Sequence, residues 1–554
     1  MVKGIQKDFF NRQALLIVCL VLLGSVLLFF NLGQRALWEP DEGRYAEIAR
    51  EMTESGDWLT PRLNYIKHFD KPPITYWLIA LSFKIFGLHE YAAHLPLLII
   101  GLLGILAAFF LGKEMFNQRV GFFAACILAS SLGYPGLAHV LSTDIVFSFF
   151  CLLSYLFFVR KQLIPFSVSL ALGFMTKGPV IFVIVLLPIY AFSFYSKQTK
   201  KLRQIPWVKG IFLFILIGLS WYLYQAQQNQ GLFYVDFLQK TISRIYRHRR
   251  QPFYFFLPVL IGLFFPWIFF LIASLKGRLK FKKSAVNEEG EKLLLLFFWF
   301  ALPFLFFSLI GKKLVPYILP LLPPLAVIVA LFWVEGLENS RLFTQRAFTL
   351  SCRLLSATLA ILSAAFIAFL CLGYPQRLNL PLAAPNIALM SLICLSAAVV
   401  ILILLRQKRH LALFCAVALS SSLFLLCAVN LLPKIENEIN KSVKQLALKI
   451  KQDLQPEDKV VNYRCFLNSL PFYLKRRTIV VERQRNLTYE DDPGHWKDYL
   501  LKDKSDLYRL LSSRAFKVYC ITYTWEYKNI KKEYKGRIYQ LGQAGKYVLF
   551  ANKK

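Results

Sequence analysis

Residues 37–52 read Leu37-Trp38-Glu39-Pro40-Asp41-Glu42-Gly43-Arg44-Tyr45-Ala46-Glu47-Ile48-Ala49-Arg50-Glu51-Met52, with acids and bases at helical spacing. Pro40 followed by two acids marks a helix start. On that helix Asp41, Arg44 and Tyr45 share one face at i, i+3 and i+4. A solvated helix with internal ion pairs would need nothing more, but this one follows directly on an apolar run, which puts its face at a membrane surface. Further on, His68-Phe69-Asp70-Lys71-Pro72-Pro73 precedes a second apolar stretch. The prolines fix an extended approach and set Asp70 and Lys71 at headgroup level, where a lysine commonly serves as a snorkelling anchor. Asp144, after Leu141-Ser142-Thr143, is either a helix N-cap or a functional acid near membrane depth. Lys177, the Lys312-Lys313 pair, and Arg244, Arg247, Arg249 and Arg250 around His248 add cations. Two carboxylates, Asp41 and Asp144, thus lie within a basic surround. Cations of this kind would bind a phosphate-linked leaving group or acceptor and offset its developing charge. Carboxylates would hold a sugar, a metal or an attacking hydroxyl. No nucleotide-binding glycine loop is evident, so the driving energy must lie in the donor bond.

The elements that position these residues follow from composition. Of 554 residues, 56% are hydrophobic and 18% charged, against roughly 25% charged in an average soluble domain. That excludes a soluble enzyme and a disordered chain. Apolar runs near the ~20 residues that span a bilayer occur at about 13–30, 91–112, 120–137, 145–159, 162–176, 178–196, 210–226, 255–275, 292–310, 314–334, 348–372, 385–405 and 410–431. Residues 73–87 are too short to span and carry Lys84, so they read as an interfacial helix. With that assignment Lys113/Arg119, Arg160/Lys161, Lys197–Arg203, Lys276–Lys283, Arg341/Arg346 and Arg406–Arg409 all fall on the cytoplasmic side. Thirteen spans result, with the N-terminus in the cytoplasm. Residues 1–431 form the membrane domain, with an outer loop at 31–90, and residues 432–554 form an outer soluble α/β domain. Its expected elements are a helix over 436–453 and strands at Lys459–Asn462, Thr478–Glu482, Phe516–Thr522 and Tyr547–Phe550. Eight of the ten cysteines fall in spans; Cys465 and Cys520, in the outer domain, could form a bridge in an oxidising compartment. A formal charge of +34 suits anionic lipid partners; nothing points to nucleic acid.

The whole chain resembles the polytopic GT-C glycosyltransferases that use polyprenyl-phosphate sugars, the class containing protein O-mannosyltransferases. Within it, the chain looks most like the lipid A 4-amino-4-deoxy-L-arabinose transferases of Gram-negative bacteria. The residues carrying the resemblance are Asp41-Glu42-x-Arg44-Tyr45-Ala46-Glu47-Ile48 with Arg50-Glu51, Ser55-Gly56-Asp57-Trp58, Pro61-Arg62-Leu63, Phe69-Asp70-Lys71-Pro72-Pro73 with Tyr76-Trp77, Thr143-Asp144, Thr176-Lys177-Gly178, Lys313-Leu314-x-x-Tyr317-Ile318-Leu319-Pro320 and Ser469-Leu470-Pro471-Phe472-Tyr473. The resemblance implies that Asp41 and Asp144 are the essential carboxylates. It further implies that Arg44, Tyr45, Lys71, Lys177, His248, Arg249, Lys313 and Tyr317 bind the donor's phosphate and sugar, and that a divalent metal could sit near Asp70 and Glu42. Two residues depart from the family's habit: Asp70 stands where Glu is common and His68 where an aromatic is. The implied donor is an undecaprenyl-phosphate-linked sugar, the implied acceptor lipid A or another lipid-linked molecule, and the implied setting a monomer in the bacterial inner membrane with its active site and C-terminal domain periplasmic. A polyprenyl-phosphate-hexose-dependent protein or glycan O-glycosyltransferase is the alternative. A transporter fits less well, because the ionisable groups gather at span ends and no repeated halves are visible.

Overall fold

The structure is a computed structural model and describes residues 12–196, 207–229, 233, 251–275, 288–344, 346–377, 381–439, 443–482 and 498–554. Helix α1 (Gln13–Phe29) buries Leu16, Leu20, Leu27 and Leu28, and leaves Leu15, Val18, Leu22 and Val26 exposed. The exposed set recurs every three or four residues, which makes one side of the helix a lipid-facing stripe. A loop then leads to α2 (Asp41–Ser55), a short hairpin of β1 (Arg62–Leu63) and β2 (Ile66–Lys67), and α3 (Ile74–Phe86). α3 has 13 residues and packs against α2 and α4.

The bundle continues with α4 (Glu90–Met115), α5 (Gln118–Ser130), α6 (Gly133–Ala138), α7 (Asp144–Val159), α8 (Leu163–Lys177), α9 (Phe182–Tyr195), α10 (Val208–Asn229), α11 (Phe253–Leu263), α12 (Ile268–Leu275), α13 (Glu288–Leu309), α14 (Val315–Glu338), α15 (Arg346–Cys371), α16 (Pro381–Arg406) and α17 (His410–Ile439). Among the described residues seven helices (α4, α10 and α13–α17) are long and apolar enough to cross a membrane, and the bent pair α11 and α12 makes an eighth if taken as one span. α14 is the central helix, almost wholly enclosed by the others. α4 and α5 approach closely through Gly112 and Gly121, where a Cβ on Gly121 would lie 2.3 Å from the Phe109 carbonyl; small residues permit such backbone contact in lipid.

The expected straight span at 255–275 is instead broken, its halves meeting at 105°. Pro266 has no N–H to continue the ladder, and the Phe265 carbonyl is satisfied by Leu132 N at 3.0 Å. Phe256 lies beside Phe307 near the end of α13, whereas Phe270 lies beside Trp333 and Phe348 towards the opposite end of α14 and the start of α15. The pair therefore traverses the depth of the bundle. Contacts of Lys113 with Gln13 (2.6 Å), Arg119 with Glu338 (3.2 Å) and Arg160 with Glu114 (2.9 Å) gather several connections at one end. The other end carries α2, α3 and the C-terminal domain.

α17 does not stop at the expected boundary after residue 431 but runs to Ile439. Pro433 lies inside the helix without ending it, and Lys434, Ile435, Glu436, Asn437 and Glu438 after it hold neither glycine nor proline. After α18 (Val443–Asp453) come β3 (Lys459–Tyr463), α19 (Ser469–Leu474), β4 (Ile479–Val481), β5 (Leu500–Leu501), α20 (Lys504–Leu511), β6 (Val518–Tyr523), α21 (Thr524–Glu533), β7 (Tyr539–Ala544) and β8 (Tyr547–Ala551). They form one sheet in the order β5-β4-β3-β6-β8-β7, parallel from β5 to β6 and antiparallel beyond. α18 and α19 cover one face, α20 and α21 the other. The expected α/β character holds, but β5 and β7 carry no signal in the sequence. β5 has two residues, and β7 is a bulged edge strand with mixed exposure, so neither needs a run of apolar residues. Cys465 and Cys520 are both free and belong to apolar clusters on opposite faces of the sheet, which is why they do not bridge.

Candidate active site at one end of the bundle

The N-terminus of α2 is locked in place by Glu42. Its buried carboxylate accepts from Arg35 (2.5 Å), from Trp38 N (2.9 Å) and from Leu141 N (3.0 Å), with the His94 ring 3.7 Å away. Burial alone would push this carboxyl up; His94 and the Arg35 guanidinium outweigh it and hold the group down at about 2. The same bonds tie α2 to the loop immediately before Asp144. Next to Glu42, Asp41 is largely exposed and pairs with Arg44 at 2.6 Å, and Arg44 also faces Asp70 at 4.0 Å. Tyr45 is buried with its ring centroid 5.6 Å from that of Tyr76 on α3 and the Arg44 guanidinium 5.7 Å from its own. Its hydroxyl sits beside Thr143, and burial, then the charges of Asp70 and Asp144, push the phenol up despite Arg44.

From the bundle come Asp144, the first residue of α7, and Lys177, the last of α8. Their carboxylate and ammonium are in direct contact, both largely buried. The ammonium also lies 4.8 Å from the Tyr317 ring centroid and 5.4 Å from that of Phe147. Two groups thus meet through Tyr45 and Thr143: Asp41, Arg44 and Asp70 on the segment between α1 and α4, and Asp144, Lys177 and Tyr317 on the bundle. The segment bearing Asp70 and Lys71 is pinned to α10, because Trp221 and Gln225 both donate to the Leu59 carbonyl, at 2.8 and 2.5 Å, and Phe69 packs with Met175, Trp221 and Phe233. Lys71 and the buried His68 follow from that placement.

Lys313 is placed differently from the sequence expectation. It is buried, and its ammonium donates to the carbonyls of Gln251 (3.0 Å) and Ile310 (2.7 Å), so it clamps the start of α14. Glu42, expected beside a metal, is occupied by Arg35 and two backbone amides. Asp70 faces a guanidinium, and no group of three His, Cys, Asp or Glu residues gathers among those described. The donor set does not fit a divalent ion at these positions. His248 and Arg249 lie outside the described residues.

The sequence reading missed Glu39. Its carboxylate accepts from Asn468 N (3.0 Å), Ser469 N (2.7 Å) and Ser469 Oγ (2.5 Å) at the start of α19, while Asn468 Nδ2 donates to the Pro40 carbonyl at 2.8 Å. Asn64 exchanges bonds with Thr478, and Leu37 N donates to the Tyr473 hydroxyl. A Cβ on Gly43 would fall 2.5 Å from Ser469 N, so glycine is what lets α19 seat against α2. The C-terminal domain is therefore the wall that holds the helix bearing Asp41, Arg44 and Tyr45. Glu39 next to Pro40, and the separate Ser469–Tyr473 motif, are the visible signals; their pairing is not.

Residues 70–224 match the sequence family described as dolichyl-phosphate-mannose-protein mannosyltransferase. The class the fold defines is the polytopic helical membrane protein. At the level of particular proteins, the chain superposes on crystal structures of ArnT from Cupriavidus metallidurans. The TM-score is 0.83 for the form bound to undecaprenyl phosphate, at 22% identity over 97% of this chain and 98% of that one. The Archaeoglobus fulgidus oligosaccharyltransferase is more distant, with TM-score 0.52 and 13% identity over 92% of this chain and 69% of that one. In sequence, the chain is 31% identical over 358 residues to an undecaprenyl phosphate-alpha-4-amino-4-deoxy-L-arabinose arabinosyl transferase of Proteus mirabilis, covering 62% of this chain and 63% of that protein. It is 32% identical over 317 residues to an uncharacterized protein of Aquifex aeolicus, covering 55% and 62%. The matched stretch thus spans less than two thirds of these relatives.

Proposed function

We propose that the protein is a glycosyltransferase of the bacterial inner membrane that moves 4-amino-4-deoxy-L-arabinose, or a related aminosugar, from undecaprenyl phosphate to a lipid A phosphate on the periplasmic side. The chain crosses thirteen times, with its N-terminus cytoplasmic and its C-terminal domain and active site periplasmic. The observation that carries this reading is the convergence of the Asp144–Lys177 pair under Tyr317 with Asp41 and Arg44 on α2 and Asp70 on the loop before α3, all held at the end of the bundle. A phosphate oxygen of the acceptor attacks the anomeric carbon, the bond from that carbon to the polyprenyl phosphate oxygen breaks, and the leaving phosphate keeps the electron pair, with inversion. An acceptor phosphate is already anionic near neutral pH, so no general base is required. That suits a carboxylate such as Asp144, whose oxygen is committed to an ammonium and whose task is to position Lys177. Lys177, Arg44 and Lys71 would meet the phosphate charges.

The match of residues 70–224 to protein mannosyltransferases favours a second reading, transfer of a hexose to a protein or glycan hydroxyl, in which Asp41 or Asp144 must take a proton. Mass spectrometry of lipid A from cells with and without the protein separates the two. A pentosamine or hexosamine on a lipid A phosphate, present only with the protein, supports the first; unchanged lipid A excludes it. The pH dependence of transfer separates them again, since a hydroxyl acceptor requires the rate to fall as the base protonates.

A further inference from the structure

The outer domain has a cleft of its own, of about 740 Å³, lined by Arg464, Glu482, Lys502, Tyr523, Trp525 and Glu526. Arg464, Glu482 and Lys502 directly follow β3, β4 and β5, and Tyr523 ends β6. In the order β5-β4-β3-β6 successive strands step one way from β3 and then jump back across it to β6. The crevice outside the carboxyl ends at such a reversal is where open α/β sheets take ligands. A phosphate there would sit at the start of the helix after the first strand. Here that position is filled by the Glu39 carboxylate, bonded to Asn468 N and Ser469 N, and Cys465-Phe466-Leu467-Asn468 contains no glycine.

What remains open has a different chemistry. Trp525 is 54% exposed and lies flat on Tyr523, with centroids 4.3 Å apart and planes 6° apart; Tyr523 is stacked in turn on Tyr547 at 5.3 Å. The pile holds one broad aromatic face rigid. Beside it the Arg464 guanidinium bridges Glu482 and Glu526. Glu526 is only 7% exposed, and its second oxygen, Oε2, has no hydrogen-bond partner among the described residues. An aromatic plate bordered by a buried acceptor and a planar donor matches a sugar ring, which offers a C–H face and a rim of hydroxyls that both donate and accept. We propose that this cleft is a saccharide-binding site, with a ring stacked on Trp525 and vicinal hydroxyls shared between Arg464 and the carboxylates of Glu482 and Glu526. The site does not depend on which sugar the membrane domain transfers.

Saturation-transfer NMR on the full chain in nanodiscs of plain phospholipid tests this. The probes are a dephosphorylated core oligosaccharide released from lipopolysaccharide by mild acid and the methyl glycosides of glucose, galactose and mannose, with inorganic phosphate as competitor. The expected result is saturation of ring C–H protons on at least one saccharide, unaffected by phosphate. Affinity should fall roughly tenfold in Trp525→Ala, as loss of one stacking contact implies, and fall again in Glu526→Gln. No saturation with any probe, displacement by phosphate, or equal binding by both variants would overturn the proposal. The wild-type arms decide it even if a variant fails to fold.

Discussion

Asp144 and Lys177 are each other's nearest charges, and this fixes what their substitution should do. Lys177→Met removes a cation from the cavity and releases the carboxylate; Asp144→Asn keeps the shape but loosens the ammonium. Transfer assays on purified protein should show a fall of about 10²–10³ for Lys177→Met and partial rescue in Lys177→Arg, with a thermal midpoint close to wild type in Lys177→Arg and lowered in Lys177→Met, which leaves a largely buried carboxylate unpaired. Glu42 should behave the other way, as a residue of stability. Its carboxyl is depressed from 4.5 to about 2, so its contribution is complete above pH 4.5 and is lost as pH falls from there towards 2. The shift corresponds to about 3 kcal/mol, and Glu42→Gln should flatten that part of a melting-temperature profile. Glu51, buried near the Glu47–Arg50 pair, has the opposite sign. Burial and then the Glu47 charge push it up, so its protonated form stabilises the fold at low pH and that stability is lost as pH rises through its raised value. Glu51→Gln, which can still accept from Tyr65 N, should keep the midpoint from declining on the alkaline side.

Among elements, α2 depends on a partner 430 positions away in the sequence. Its N-terminal loop delivers Glu39 to α19, and Gly43 leaves no room for a side chain there. Gly43→Leu should open the dock, read as faster amide exchange in 468–474 and 41–46 with unchanged exchange in α14. Glu39→Ala strands two buried amides, at a cost of about 1–3 kcal/mol, and should lower transfer without removing any group from the cavity. How much of this the sequence reveals follows from locality. The shared face of Asp41, Arg44 and Tyr45 is a matter of helical spacing, and the structure has it; the four central strands are short apolar runs, and they appear within a residue or two. The Glu39–Ser469 dock, the clamp made by Lys313 and the bend between α11 and α12 arise from contacts between distant segments, which no periodicity encodes.

For the whole molecule, the separation of two ends is the feature that ties composition to chemistry. Lys113, Arg119 and Arg160 contact groups at one end, while α2, the Asp144–Lys177 pair and the α/β domain share the other. If the first end is cytoplasmic, then in a cysteine-free background an impermeant thiol reagent applied to spheroplasts should label Lys535→Cys and spare Lys408→Cys, both exposed positions; the reverse pattern would invert the topology. The proposed function has this end transfer an aminosugar from a lipid phosphate to a lipid A phosphate. Its most direct test is reconstitution of the purified chain with undecaprenyl-phosphate-linked 4-amino-4-deoxy-L-arabinose and lipid A, followed by mass spectrometry of the lipid A. The expected result is one pentosamine added on a phosphate by the wild type and almost none by Lys177→Met. Unmodified lipid A with folded wild-type protein, or equal modification by Lys177→Met, would contradict it.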